Sequence, residues 1–205
     1  MVSFRKVFVA AMAAAPALAA LSPAQVVSNI KMLTQKSQAL QAPAQSITII
    51  NGPLIIIGQG PFPQLIAGFT DIISTATTSI AQMQGDAPVT KAADATAIYD
   101  AFREFVRVHQ VLLNILIGKA GLFQTVPFIG QPIAAVLRQV EGVVDTIAFS
   151  LIDGVESRAA DLQGQANSLH QTIEIAINSY DGLSLSKRAP GPISRVKRAM
   201  VAAAA

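Results

Sequence analysis

Between Val26 and Tyr180, apolar residues return every third or fourth position in five separate segments. Steps alternating between three and four average 3.5 residues and line up on one face of an α-helix. The first segment places Val26, Ile30, Leu33, Ser37, Leu40, Ala44 and Ile47 in that series, after a Ser22-Pro23 start and with Pro43 as a kink or break. The second runs Phe62, Ile66, Phe69, Ile73, Ala76, Ile80, Met83 and stops at Gly85. The third runs Ala95, Ile98, Phe102, Phe105, His109, Leu112, Leu116. A fourth, Ile133, Leu137, Val140, Val144, Ile147, Leu151, ends near Asp153-Gly154, and a fifth takes Val155, Ala159, Leu162, Ala166, Leu169, Ile173, Ala176 and Tyr180. Five such helices with short connections predict an all-α, antiparallel up-down bundle. Strand signals are confined to "SITII" at 46–50, inside a helical pattern.

The two ends of the chain read differently from this body. Residues 1–19 combine Arg5 and Lys6, an apolar run from Val7 and small residues at Ala17 and Ala19, the layout of a secretory signal peptide. Cleavage near Ala19 and an extracellular or cell-wall location are expected. Residues 20–183 form the bundle domain, and 184–205 a basic tail. Within that tail Lys187-Arg188 and Lys197-Arg198 are dibasic pairs, either processing sites for a secretory protease or part of a disordered extension. The formal net charge of +3 belongs to these ends, because the stretch from Ala20 to Ser186 has eight bases against twelve acids. A nucleic-acid partner needs a basic face on the folded part, and the body is acidic. Without cysteine, the fold must be held by packing alone.

Alternation of helix direction puts the connections after the first and third helices at the same end. Both are apolar: "NGPLIIIGQGPFP" at 51–63 carries Leu54, Ile55, Ile56, Ile57 and Phe62, and "GLFQTVPFIGQP" at 121–132 carries Leu122, Phe123, Phe128 and Ile129. Gly and Pro at this density end regular structure, and loops are usually polar. These side chains either fold down as a lid or form an exposed apolar face that something binds. The opposite end, "GDAPVT" and Asp153-Gly154, is short and polar. Phe69, Ile73, Phe102, Phe105, Val140, Val144 and Ile147 occupy mid-length stripe positions and are expected to line the interior and any ligand in it.

Catalytic chemistry finds no foothold. There is no cysteine nucleophile and no Gly-x-Ser-x-Gly elbow. His109 lies on an apolar stripe and His170 beside one, and the acids are scattered in sequence rather than spaced as metal ligands. No phosphate-binding loop or cofactor motif occurs, so neither a metal nor a cofactor is expected.

Several of these residues resemble one family. "VVSNIKMLTQKSQAL", "LIGKAGLF" (Leu116 to Phe123) and the closing Leu169, Ile173, Ala176-Ile177 and Tyr180 are similar to the fungal hydrophobic surface binding protein A and cell-wall galactomannoprotein family. His170 stands where that family has an acid, Ile173 where it has an aromatic, and the Ser/Thr-rich tail of many mannoproteins is missing. The resemblance implies a secreted, non-enzymatic five-helix domain. Some relatives adsorb to hydrophobic solids and help recruit a secreted polyester hydrolase; others enclose a fatty acid. The partners expected from it are fatty acids or other lipids, hydrophobic surfaces and such a hydrolase. Lys119 and Arg138 are the cations nearest the second apolar loop. Two other readings stay open: a membrane-active helical effector or toxin, and a structural wall protein without a ligand.

Overall fold

The computed structural model describes residues 21–51, 54, 57–85, 87–123 and 130–181. Its regular elements are all helical: α1 (Pro23–Ala39), α2 (Gln41–Gln45), α3 (Pro61–Met83), α4 (Ala92–Ala120), α5 (Gly130–Gly154) and α6 (Ala159–Asp181), with 3₁₀ turns at Gly121–Phe123 and Glu156–Arg158. The signal-like start, the basic tail with its dibasic pairs, Ile55, Ile56, Phe128, Ile129 and the side chain of Phe123 lie outside the described residues.

The start of α1 shows how local chemistry sets an element. Ser22 is extended, and its hydroxyl accepts from the Gln25 backbone N–H at 3.3 Å. The Gln25 side chain in turn accepts from the Ser22 N–H at 2.9 Å. This capping box satisfies two donors that a helix start leaves unpaired, and Pro23 follows at the first helical position. The expected stripe of this segment, Val26 to Ile47, is buried throughout. The chain breaks at Leu40 and resumes as α2, which contains Pro43.

Contact offsets give the directions. Ser37–His109 and Ile47–Lys119 are each 72 residues apart, so α1 and α4 run parallel. Thr96–Arg158 and Leu116–Tyr180 do the same for α4 and α6. Asn29–Gln82 and Lys36–Asp71 run in opposite senses, which makes α1 and α3 antiparallel, as Arg138–Asp181 and Asp145–His170 make α5 and α6. The five long helices form a closed ring in the order α1, α3, α5, α6, α4 and back to α1. Direction alternates along the chain, yet neighbours in the ring are frequently parallel. The reason lies in the connections. Helix axes pack 8–10 Å apart, and the residues joining α3 to α4 and α4 to α5 can span a diagonal at about 3.3–3.6 Å each. The short link from α5 to α6 cannot, so those two are adjacent.

Phe69, Phe102, Phe105, Leu112, Leu116, Leu137 and Val140 fill the ring. At its α1–α3 seam the approach is close enough that a methyl group on Gly68 would overlap Leu40. At the far end of the bundle the Tyr180 hydroxyl donates to the Leu116 carbonyl at 2.8 Å, inside the core.

Candidate ligand-binding site

At the end where α1, α4 and α6 begin and α3 and α5 finish, the helices stand apart around a pocket of about 530 Å³. Ligand sites occupy roughly 300–1,000 Å³. Val26, Met83, Val89, Ile98, Leu151 and Val155 make its apolar wall, and Lys91, Asp94 and Asp153 stand among the residues that line it. The α3–α4 connection shapes it. Gly85, at φ +87°, turns the chain after Met83, a conformation that other residues rarely adopt. The Val89 N–H then donates to the Gly154 carbonyl at 2.8 Å, tying the loop to the end of α5. Read as short and polar, this end instead contributes Val89 and the buried Val155. Its pocket lies opposite the apolar loops expected to frame an entrance.

Most of the expected interior set is where the spacing put it: Phe69, Phe102, Phe105, Val140, Val144 and Ile147 are buried. Ile73 is not. It is half-buried at the rim of the core, and Ile72 takes the inner position with Leu65, Phe69, Ala76 and Ser79. Phe62, expected at a binding surface, is fully buried in the first turn of α3.

Among the described residues before α3, several aliphatic side chains face outward. The Asn51 side chain accepts from the Thr48 N–H at 2.8 Å and donates to the Ser46 carbonyl at 2.7 Å. Gly58 and Gly60 take positive φ before Pro61 opens α3. Leu54 and Ile57 are exposed, and so are Ile49 and Ile50, the latter at 89%. Those last two belong to the apolar run "SITII", outside the loop expected to form a binding face. Leu122 packs half-buried against the core. Lys119 donates to the Ile47 carbonyl at 2.9 Å, and Arg138 pairs with Asp181, so both cations considered for a carboxylate hold structure together.

His109 is wholly buried on the α4 stripe. Ser37, across the seam on α1, gives its hydroxyl proton to the Leu33 carbonyl at 2.9 Å. With its proton so placed, its oxygen, 2.9 Å from His109 Nδ1, accepts the ring N–H, and the lone pair falls on Nε2. This polarity is the reverse of a nucleophile and its base, because the histidine donates to the serine. Burial lowers the His109 pKa to about 4, so the ring is neutral at physiological pH. Two polar residues on apolar stripes were the signal for this pair; its register came only from the parallel α1–α4 contact.

Acids that are scattered in sequence do meet on the outside. His170 Nδ1 is 3.4 Å from Asp145 and 3.7 Å from Glu141, and its Nε2 is 3.7 Å from Glu174. Glu141, His170 and Glu174 come near enough to share a cation. Partial burial, with Asp145 and Glu174 adding repulsion, raises the Glu141 pKa against the opposing pull of His170. The cluster is partly solvated, the usual setting of a salt-bridged helix face.

No family model matches the chain, and no curated protein matches it. Solved structures do share its fold. Ligand-binding domain 2 of the MP1 protein of Penicillium marneffei, complexed with multiple arachidonic acids, superposes with a TM-score of 0.62 at 15% identity, covering 78% of this chain and 94% of that one. AFMP4P in complex with palmitic acid gives 0.62 at 16% identity over 79% and 99%. Ligand-binding domain 1 of MP1, complexed with arachidonic acids, gives 0.59 at 15% identity over 76% and 98%. The chain has the fold of these fungal helical domains.

Proposed function

We propose that this protein is a secreted, non-enzymatic binding protein for fatty acids or similarly apolar lipids, working outside the cell or at the cell wall. The observation that carries the reading is the pocket of about 530 Å³, walled by aliphatic side chains, in a fold whose solved examples hold arachidonic and palmitic acids. An acyl chain gains about 0.8 kcal/mol per methylene taken out of water, so a long chain needs little polar help to bind. Lys91, at the start of α4, is the cation among the pocket residues. The signal-like residues 1–19 favour secretion. Ile49, Ile50, Leu54 and Ile57 support a second activity, adsorption to hydrophobic surfaces, through aliphatic side chains that stand exposed. The membrane-insertion reading has less support: among the described residues no helix is long and apolar enough to cross a membrane.

A charge in the pocket wall tests the reading. Val89 is half-buried on a loop, where substitution leaves the helical core intact. Val89→Asp is expected to weaken palmitic acid binding at least tenfold, by tryptophan-free methods such as calorimetry, while the melting temperature of the free protein stays within a few degrees of wild type. Unchanged affinity would place the lipid elsewhere or remove it from the account.

A further inference from the structure

One polar atom in the bundle interior has no partner. Among the described residues, His109 Nε2 is the buried side-chain atom that finds no hydrogen bond. With the Ser37 hydroxyl proton on the Leu33 carbonyl, Nδ1 carries the imidazole's own and Nε2 keeps the lone pair. Around the ring stand Phe69, edge-on with centroids 6.4 Å apart, and Phe105 at 5.3 Å. Neither offers a donor. Buried polar atoms are nearly always paired, and an exception of this kind points to a partner that comes from outside the chain.

One stripe of α4 connects this atom to the pocket. Ile98, Phe102, Phe105 and His109 follow one another along the inward stripe of α4, and Ile98 lines the pocket. From Ile98 to His109 the helix rises about 16 Å, the scale of a long acyl chain. We infer that His109 Nε2 accepts a hydrogen bond from the uncharged O–H of a lipid head group, a protonated carboxyl or a hydroxyl, held at the inner end of an acyl chain that runs back past Phe105 and Phe102 to the pocket. This rests on the lipid-binding reading above. An ionised carboxylate has no proton to give and meets a lone pair, so the head group binds neutral. Aromatic rings occupy the path in the structure, and binding swings them aside.

Palmitic acid, hexadecanol and methyl palmitate share the chain length and differ in the donor. They are to be titrated into the full-length protein and into His109→Leu and His109→Gln. His109→Leu should fold, because Ser37 keeps its bond to Leu33 and the unpaired atom is removed. The expected result is a loss of at least tenfold for hexadecanol and palmitic acid in His109→Leu, partial recovery in His109→Gln, which retains an acceptor, and no loss for methyl palmitate. A loss for the alcohol alone or for the acid alone supports the site and identifies the head group. Equal losses for all three lipids, or none, with binding intact, would overturn the inference and leave the lipid-binding reading standing. Failure of every variant and the wild type to bind any of the three would overturn both.

Discussion

Phe105→Ala is expected to remove about 3–5 kcal/mol of folding stability. Phe105 is 1% exposed and sits between Phe102 and His109 on the central stripe of α4, with ring centroids 6.2 and 5.3 Å away. Removing its ring deletes apolar contact and leaves a void that a ring of five helices can close only partly. With no disulfide in the chain, nothing covalent offsets the loss. Domains of this size are stable by about 5–15 kcal/mol, so the variant would keep a fraction of its margin. Urea denaturation checks it: the midpoint should fall with the slope unchanged. A loss below about 1 kcal/mol would mean that the interior around Phe105 is not close-packed.

Acid should weaken the free protein through His109. Above its ordinary pKa of 6.5 the imidazole is neutral in both folded and unfolded chains. Between 6.5 and the folded-state value of about 4, the unfolded chain takes up a proton that the buried ring refuses. Stability present above pH 6.5 is therefore lost as pH falls toward 4, by on the order of 3 kcal/mol. No charged group faces the ring to change this: α1 presents Ser37 and α3 presents Phe69 among the described residues, and burial is the cause of the shift. Glu141 works the other way, since its raised pKa contributes stability at low pH that is lost as pH rises. The difference between wild type and His109→Leu isolates the histidine. Urea midpoints of the two proteins should diverge steadily from pH 6.5 down to pH 4. Parallel pH profiles would contradict the burial assigned to His109.

How much of this was legible in advance varies by element. The α1 series was read residue for residue because its apolar face is narrow and its start carries a full capping box. In α3 Phe62, Phe69 and Ala76 are buried as the spacing predicts, but Leu65, Ile72 and Ser79 take the inner places expected of Ile66, Ile73 and Ile80. That helix offers two interleaved series, Leu65 and Ile72 beside Ile66 and Ile73, and Ser79 breaks the correct one at its end. Only the position of α5 in the ring decides between them. The pocket was not legible at all. Its wall draws on the starts of α1 and α4, the ends of α3 and α5 and the loop between, and their meeting depends on a neighbour order that is not the chain order. The stretch was legible as apolar, but the hydrogen bonds of Asn51 to Thr48 and Ser46 and the exposure of Ile49 and Ile50 needed coordinates.

Native mass spectrometry of the purified protein with palmitic acid tests the central claim most directly. The account predicts a folded chain that retains one or a small fixed number of palmitic acid molecules through desolvation, with the Val89→Asp protein retaining fewer under the same conditions. A spectrum of ligand-free chain alone at saturating palmitic acid, or retention that Val89→Asp leaves untouched, would contradict it.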